Sequence, residues 1–220
     1  MFRSTAPCYA LAKLGTVFLY SEQFEILGCK SMQVHANEMP RPGAVAVNAA
    51  HVADRALRFV QHEAGFAQVF TINQAGFPVG RTMVAVCNDD WTVDLVQRNV
   101  HRRIEHVRRN PRMEVVWTGP PRADSVNDRP HVYDFGLAVP QVVFLRGVAE
   151  VMDDDLLVAT YQRQTARQHA KGLTRAPHRQ PGEVRAELVG LRIRPVQVRA
   201  EGVGVGATSY TWVPNDGGTA

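Results

Sequence analysis

Three arginines stand where their side chains could converge on one anion. Arg81 opens the apolar stretch Arg81-Thr82-Met83-Val84-Ala85-Val86, and Arg102 and Arg103 fall in the first turn of a helix expected shortly after the next strand ends. A helix N-terminus exposes free N–H groups and a partial positive charge, and guanidinium forks add bidentate donors, so the arrangement suits a phosphate monoester. An arginine on an exposed helix can equally point into water, and spacing alone leaves both readings open.

Other chemistry finds little footing. The chain has no Gly-x-Ser-x-Gly elbow, no His-Glu-x-x-His, no Cys-x-x-Cys and no Gly-x-x-x-x-Gly-Lys-Ser/Thr loop, which removes the usual hydrolase, zinc and nucleoside-triphosphatase signatures. The 8 histidines do not cluster, and His101 and His106 are five apart on a surface helix, so no metal site is expected. Gly202-Val203-Gly204-Val205-Gly206 imitates a dinucleotide loop but follows the last strand with no helix after it. No acid, base or nucleophile presents itself as catalytic.

The elements that must position the arginines follow from periodicity and turn residues. Asn48 can cap a helix over 49–63, whose Val52, Ala56, Phe59 and Val60 repeat at helical spacing before Gly65. Residues 67–73 and 78–86 form a hairpin about Gln74-Ala75-Gly76, and Asn88-Asp89-Asp90 turns the chain into a third strand over 91–97. Val100, Ile104 and Val107 share one face of a helix over 100–109, which Asn110-Pro111 stops. Strands are expected at 113–118, 141–151 and 187–199, the last with Pro195 marking an edge or bulge, and Asp153 can cap a helix to about Ala170. Residues 119–140 and 171–185 read as polar loops. Six strands and three helices without a strand–helix–strand repeat predict an antiparallel sheet closed into a small barrel with peripheral helices. The expected organisation is an accessory or poorly ordered extension over 1–46, one domain over 47–202 and a tail over 203–220.

With 45% hydrophobic and 21% charged residues among 220, one core is the default, and no apolar run reaches the ~18 residues of a membrane span. Residues 11–20 are mildly apolar behind Arg3, but Lys13 interrupts them and no cleavage site follows, so no secretory signal is expected. Cys8, Cys29 and Cys87 are scattered, as in a reduced compartment, and the cytoplasm is the expected location. The net charge of +4 invites a nucleic-acid reading, yet the arginines look spread along the chain and interleaved with 21 acids, so neither nucleic acid nor membrane is expected as a partner.

The order of these pieces resembles the pyridoxamine 5′-phosphate oxidase superfamily of FMN-binding split β-barrels. The resemblance spans about 48–200 and rests on Arg81 to Val86, Leu95-Val96-Gln97, His101-Arg102-Arg103, Asn110-Pro111-Arg112-Met113, Arg146 to Asp154 and Ile193-Arg194-Pro195-Val196. It implies a mainly β, α+β fold: an antiparallel six-stranded split β-barrel, homodimeric, with FMN at the interface. Arg81, Thr82, Met83 and Val84 would run along the ribityl chain and isoalloxazine, Val96 and Gln97 would touch the flavin, and Arg102 and Arg103 would grip its phosphate, Arg103 in a lysine's place. Gln141 lies one residue from a glutamine that the second subunit contributes in the family. Val86 replaces a flavin-contacting lysine, and the Trp and Arg-x-His that hold pyridoxal have no counterpart between Arg199 and Tyr210, which argues against vitamin B6 as substrate. The resemblance therefore implies an FMN-dependent oxidoreductase acting on an unidentified small molecule. The alternatives are a reductase using the deazaflavin coenzyme F-420, and a flavin- or haem-binding protein without turnover.

Overall fold

The computed structural model of the chain describes residues 34–36, 49–127, 136–170, 172–173, 175, 177–204 and 209–214, all within the compact unit Met32–Ala220. Helix α1 (Ala49–Arg58) forms where Val52, Ala53 and Ala56 repeat on one side, and all three are buried. It runs into a π-helical turn, Phe59–Glu63, closed by Ala64 N–H donating to the Phe59 carbonyl at 2.8 Å. Burial of Val52 and Phe59 contributes about 1.5–3 kcal/mol each, and it lays α1 against Val69, Val115, Trp117, Val143 and Leu145 in the main core.

Nine described strands make one antiparallel sheet. They are β1 (Val34–Ala36), β2 (Ala67–Ile72), β3 (Pro78–Met83), β4 (Val86–Cys87), β5 (Val93–Arg98), β6 (Arg112–Val126), β7 (Ala138–Val151), β8 (Leu188–Glu201) and β9 (Tyr210–Trp212). The order is β1-β9-β8-β7-β6-β2-β3, with β5 joined to β8 and carrying β4. The helices that follow α1 are α2 (Arg103–Arg109), α3 (Asp154–Ala170) and α4 (Pro181–Glu187).

Strand β8 is where the barrel splits. Leu188 to Ile193 pair with β5, whereas Val198 to Ala200 pair with β9. Pro195, which has no N–H to give a ladder, sits between the two paired segments, opposite a register shift in β7 at Arg146/Gly147. The bulge expected at Pro195 is therefore present. Gly147 faces it because a Cβ there would overlap the Arg194 carbonyl oxygen and the Ile193 side chain.

The α+β, mainly antiparallel class matches the expectation, and the sheet is not fully closed. Three of its strands, β1, β4 and β9, have two or three residues each, too few to show a period, which is why six strands were expected and nine are found. β1 lies inside the expected 1–46 extension and β9 inside the expected tail, and they pair with each other. The rest of 1–46 up to residue 48, and residues 205–208 and 215–220, lie outside the described residues. The expected loop 119–140 is strand at both ends: β6 continues to Val126 and β7 begins at Ala138, with register shifts around Pro121, while residues 128–135 lie outside the described residues. The expected loop 171–185 contains the start of α4, which has Pro181 in its first turn and Glu183 accepting from the Gln180 N–H at 2.7 Å. Only Val184 of this helix is buried, so it offers no apolar period to read.

Successive residues of β5 face opposite ways. Val93 and Leu95 enter the main core, while Val96 packs against a second cluster of Met152, Leu157, Val184 and Leu188 beneath α3 and α4. Asp94 shares that second face and is fully buried.

Candidate functional site

Arg103 is the centre of the site. It is buried at the start of α2, and its Nη1 donates to Gln97 Oε1 at 2.7 Å and contacts the Met83 sulfur. Burial first, and the charge of Arg81 second, push the Arg103 pKa down from the usual guanidinium value. Gln97 is 7% exposed, and its Nε2 is buried without a hydrogen-bond partner. Arg81, Met83, Gln97 and Arg103 thus come together from β3, β5 and α2. They present two guanidinium groups and a spare amide donor, with no ion pair to a carboxylate at either arginine among the described residues. An uncompensated buried donor beside two cations is the environment an anionic group stabilises.

Strand and helix periods separate the other expected residues from this cluster. Arg81 and Met83 share one face of β3, and Thr82 faces the other, where its Oγ1 accepts from Gln68 Nε2 at 2.8 Å. Val84 follows β3 and is half-buried. Val96 faces the cluster beneath α3, opposite to Gln97. Arg102 is exposed at the N-cap of α2 and lines a different cleft, with Asn73, Gln74, Ala75, Glu105, His106 and Arg109. Gln141, 5% exposed at the start of β7, spends its Nε2 on the Pro120 carbonyl at 3.2 Å.

The basic residues are not spread as the sequence suggested. Between Arg98 and Arg112 stand six arginines and one glutamate, a net +5 against +4 for the whole chain. None of these six makes an ion pair among the described residues, whereas arginines elsewhere commonly do: Arg146 with Glu114, Arg179 with Glu187, Arg185 with Asp155, Arg194 with Glu150. The positive field belongs to α2 and its flanks.

Sequence reasoning passed over the most buried charge among the described residues. Asp94 accepts from Arg192 Nε and Nη2, both at 2.8 Å, from Asn88 Nδ2 at 3.1 Å and from Arg163 Nη2 at 3.3 Å. The hydrogen bond to Asp94 holds the Arg192 pKa above the usual guanidinium value. This clamp ties β5, β8, α3 and the turn before β5 together two residues from Val96. The signal available was an acid inside the apolar run Val93-Asp94-Leu95-Val96. Gly202, in the glycine-rich stretch, has φ 62°, and a Cβ there would overlap the Pro140 carbonyl; it serves a turn packed on β7. No group of three or more metal-ligating side chains occurs among the described residues, and no helix among them is long and apolar enough to cross a membrane.

The architecture, an antiparallel sheet with four helices that is not fully closed, is consistent with a split β-barrel. Solved structures similar to this chain include an F420 reductase at 15% identity, over 64% of this chain and 94% of its own, with a TM-score of 0.46. A Listeria innocua protein provisionally named a pyridoxamine 5′-phosphate oxidase matches at 17% identity, over 67% and 95%, with a TM-score of 0.44. A haem-binding protein from Mycobacterium smegmatis matches at 17% identity, over 78% and 59%, with a TM-score of 0.49. Likeness at such identities concerns the fold. No protein-family model matches the chain, and no curated protein matches it in sequence.

Proposed function

We propose that the chain binds FMN at the Arg81–Met83–Gln97–Arg103 cluster and serves as a flavin-dependent oxidoreductase for a small molecule. The observation that carries this reading is the orphaned Gln97 Nε2 beside two guanidinium groups that no carboxylate neutralises. A phosphate monoester supplies the missing acceptors, and the residues present fit one. Arg103 and Arg81 would hold the phosphate, Gln97 would donate from β5, and the half-buried Met83 would offer an apolar wall. Bound FMN would supply the electron-transfer chemistry, leaving the chain to bind, orient and exclude water.

We also propose a homodimer with the cofactor at its interface. Strand β3 is an edge of the sheet, and Pro78 to Thr82, including Arg81, are exposed along with Phe77 and Val79. A second copy laid on this edge would cover it and close the site. The buried free thiol of Cys87 fits a reduced compartment, and the cytoplasm is the location we propose.

The test is a titration of the purified full chain with FMN, read by quenching of flavin fluorescence. Saturable binding that Arg103→Ala weakens supports the reading. Binding untouched by Arg103→Ala, or no binding at all, overturns it, and deazaflavin or haem absorbance in the purified protein would select those cofactors instead. Flavin reduction by a nicotinamide donor, followed by acceptor-dependent reoxidation faster than that of free FMN, would separate an enzyme from a carrier.

A further inference from the structure

The cleft between α2 and the β2–β3 turn is separate from the Arg103 cluster. It has a volume of about 330 Å³ and is lined by Asn73, Gln74, Ala75, Arg102, Glu105, His106 and Arg109. That volume lies at the lower end of the roughly 300–1,000 Å³ typical of small-molecule pockets.

Its chemistry is one-sided. Arg102 and Arg109 are seven residues apart, so they stand on the same face two turns apart, about 10 Å along the axis. Neither makes an ion pair among the described residues, although Glu105 stands between them in sequence. His106 Nδ1 is 3.2 Å from the buried Thr71 hydroxyl. When that hydroxyl donates, the ring proton sits on Nε2 and makes a second donor. Asn73 Oδ1 is occupied by the Phe77 N–H at 2.9 Å, which leaves its Nδ2 to donate. With the amide of Gln74, five donor-bearing side chains therefore accompany a single carboxylate. A lone phosphate would gain nothing from Glu105, but a ligand that joins anionic groups to hydroxyls would use it as an acceptor.

We propose that this cleft is a second binding site, taking a small molecule that carries linked phosphates on a hydroxylated body, of the nucleoside diphosphate class. Arg102 and Arg109 hold the phosphates from two turns of one helix, Asn73 and His106 add neutral donors, and Glu105 accepts from a hydroxyl. The site does not depend on the flavin reading, because none of the cluster's four residues lines it.

The experiment is calorimetric titration of the full chain with ADP and, separately, with inorganic pyrophosphate, alongside the FMN titration. ADP should bind more tightly than pyrophosphate. Arg109→Ala and Asn73→Ala should leave FMN affinity unchanged, and Arg109→Ala should weaken ADP at least about ten-fold, the loss expected for one charge-assisted hydrogen bond. No ADP binding at millimolar concentration, an Arg109→Ala variant that binds ADP as the parent does, or competition between ADP and FMN would each overturn the proposal. Tight, Arg109-dependent binding of a short oligonucleotide with no ADP binding would overturn it in favour of a nucleic-acid surface.

Discussion

Arg103 reaches back across the β5–α2 connection to Gln97, Nη1 to Oε1 at 2.7 Å, and leaves the other half of that amide buried and unpartnered. Each residue is costly to the folded state without a ligand, because a buried donor that lacks an acceptor forfeits its hydration. Gln97→Leu alone should destabilise the chain by about 1–3 kcal/mol, since it strips Arg103 of its acceptor. Gln97→Leu with Arg103→Met removes both partners and should restore the melting temperature to the parent value or above, while abolishing flavin binding. Thermal denaturation without cofactor checks this, and a double variant less stable than Gln97→Leu would refute it.

Asp94 carries a heavier structural load. Asp94→Asn keeps the shape but leaves the partly exposed Arg192 and Arg163 facing a neutral amide, and losing a charge-assisted hydrogen bond costs about 1.5–3 kcal/mol. At roughly 2–4 °C per kcal/mol for a chain of this size, the melting temperature should fall by about 3–12 °C. A fall of less than 2 °C would show that the clamp is dispensable.

Cys87 should be inert while the chain is folded. Burial, with help from Asp90 and Asp89, pushes its thiol pKa far above the usual range, and the protonated thiol is a poor nucleophile. Iodoacetamide at pH 8 should leave the Cys87 peptide unmodified in mass spectra until guanidinium unfolds the protein. Rapid native labelling would mean that β4 opens readily.

Gly147→Ala should separate β7 from β8. The new methyl has nowhere to go except against the Arg194 carbonyl, and overpacking of this kind costs at least about 1–3 kcal/mol. Urea unfolding should register the loss in the midpoint. An unchanged midpoint would mean that the bulge beside Pro195 slides to make room.

In the sequence, Arg81 and Arg103 were named from residue type, because a strand that opens with arginine and a helix led by arginines suit an anion, whereas Met83 and Gln97 came only from the family resemblance. Their grouping was not visible there. Whether Arg102 joins Arg103 depends on the rotation of α2 about its own axis, and that is set by Ile104 and Val107 burying against the core. Consecutive helical residues diverge by about 100°, so burying Arg103 sent Arg102 to the opposite cleft. Val96 was named with Gln97 from the family resemblance, and the two-residue period of β5 puts their side chains on opposite faces.

The sequence by itself determined the order of the longer elements, the antiparallel class, an edge or bulge at Pro195 and the residues rich in donors, because period, turn chemistry and residue type are local properties. Only the tertiary structure decided which donors meet. Asp94 found Arg192 across 98 positions, β1 found β9 across the length of the chain, and Arg103 met Met83 from a neighbouring strand. Contacts between residues far apart in sequence follow from how faces pack, and packing is settled by the whole core at once.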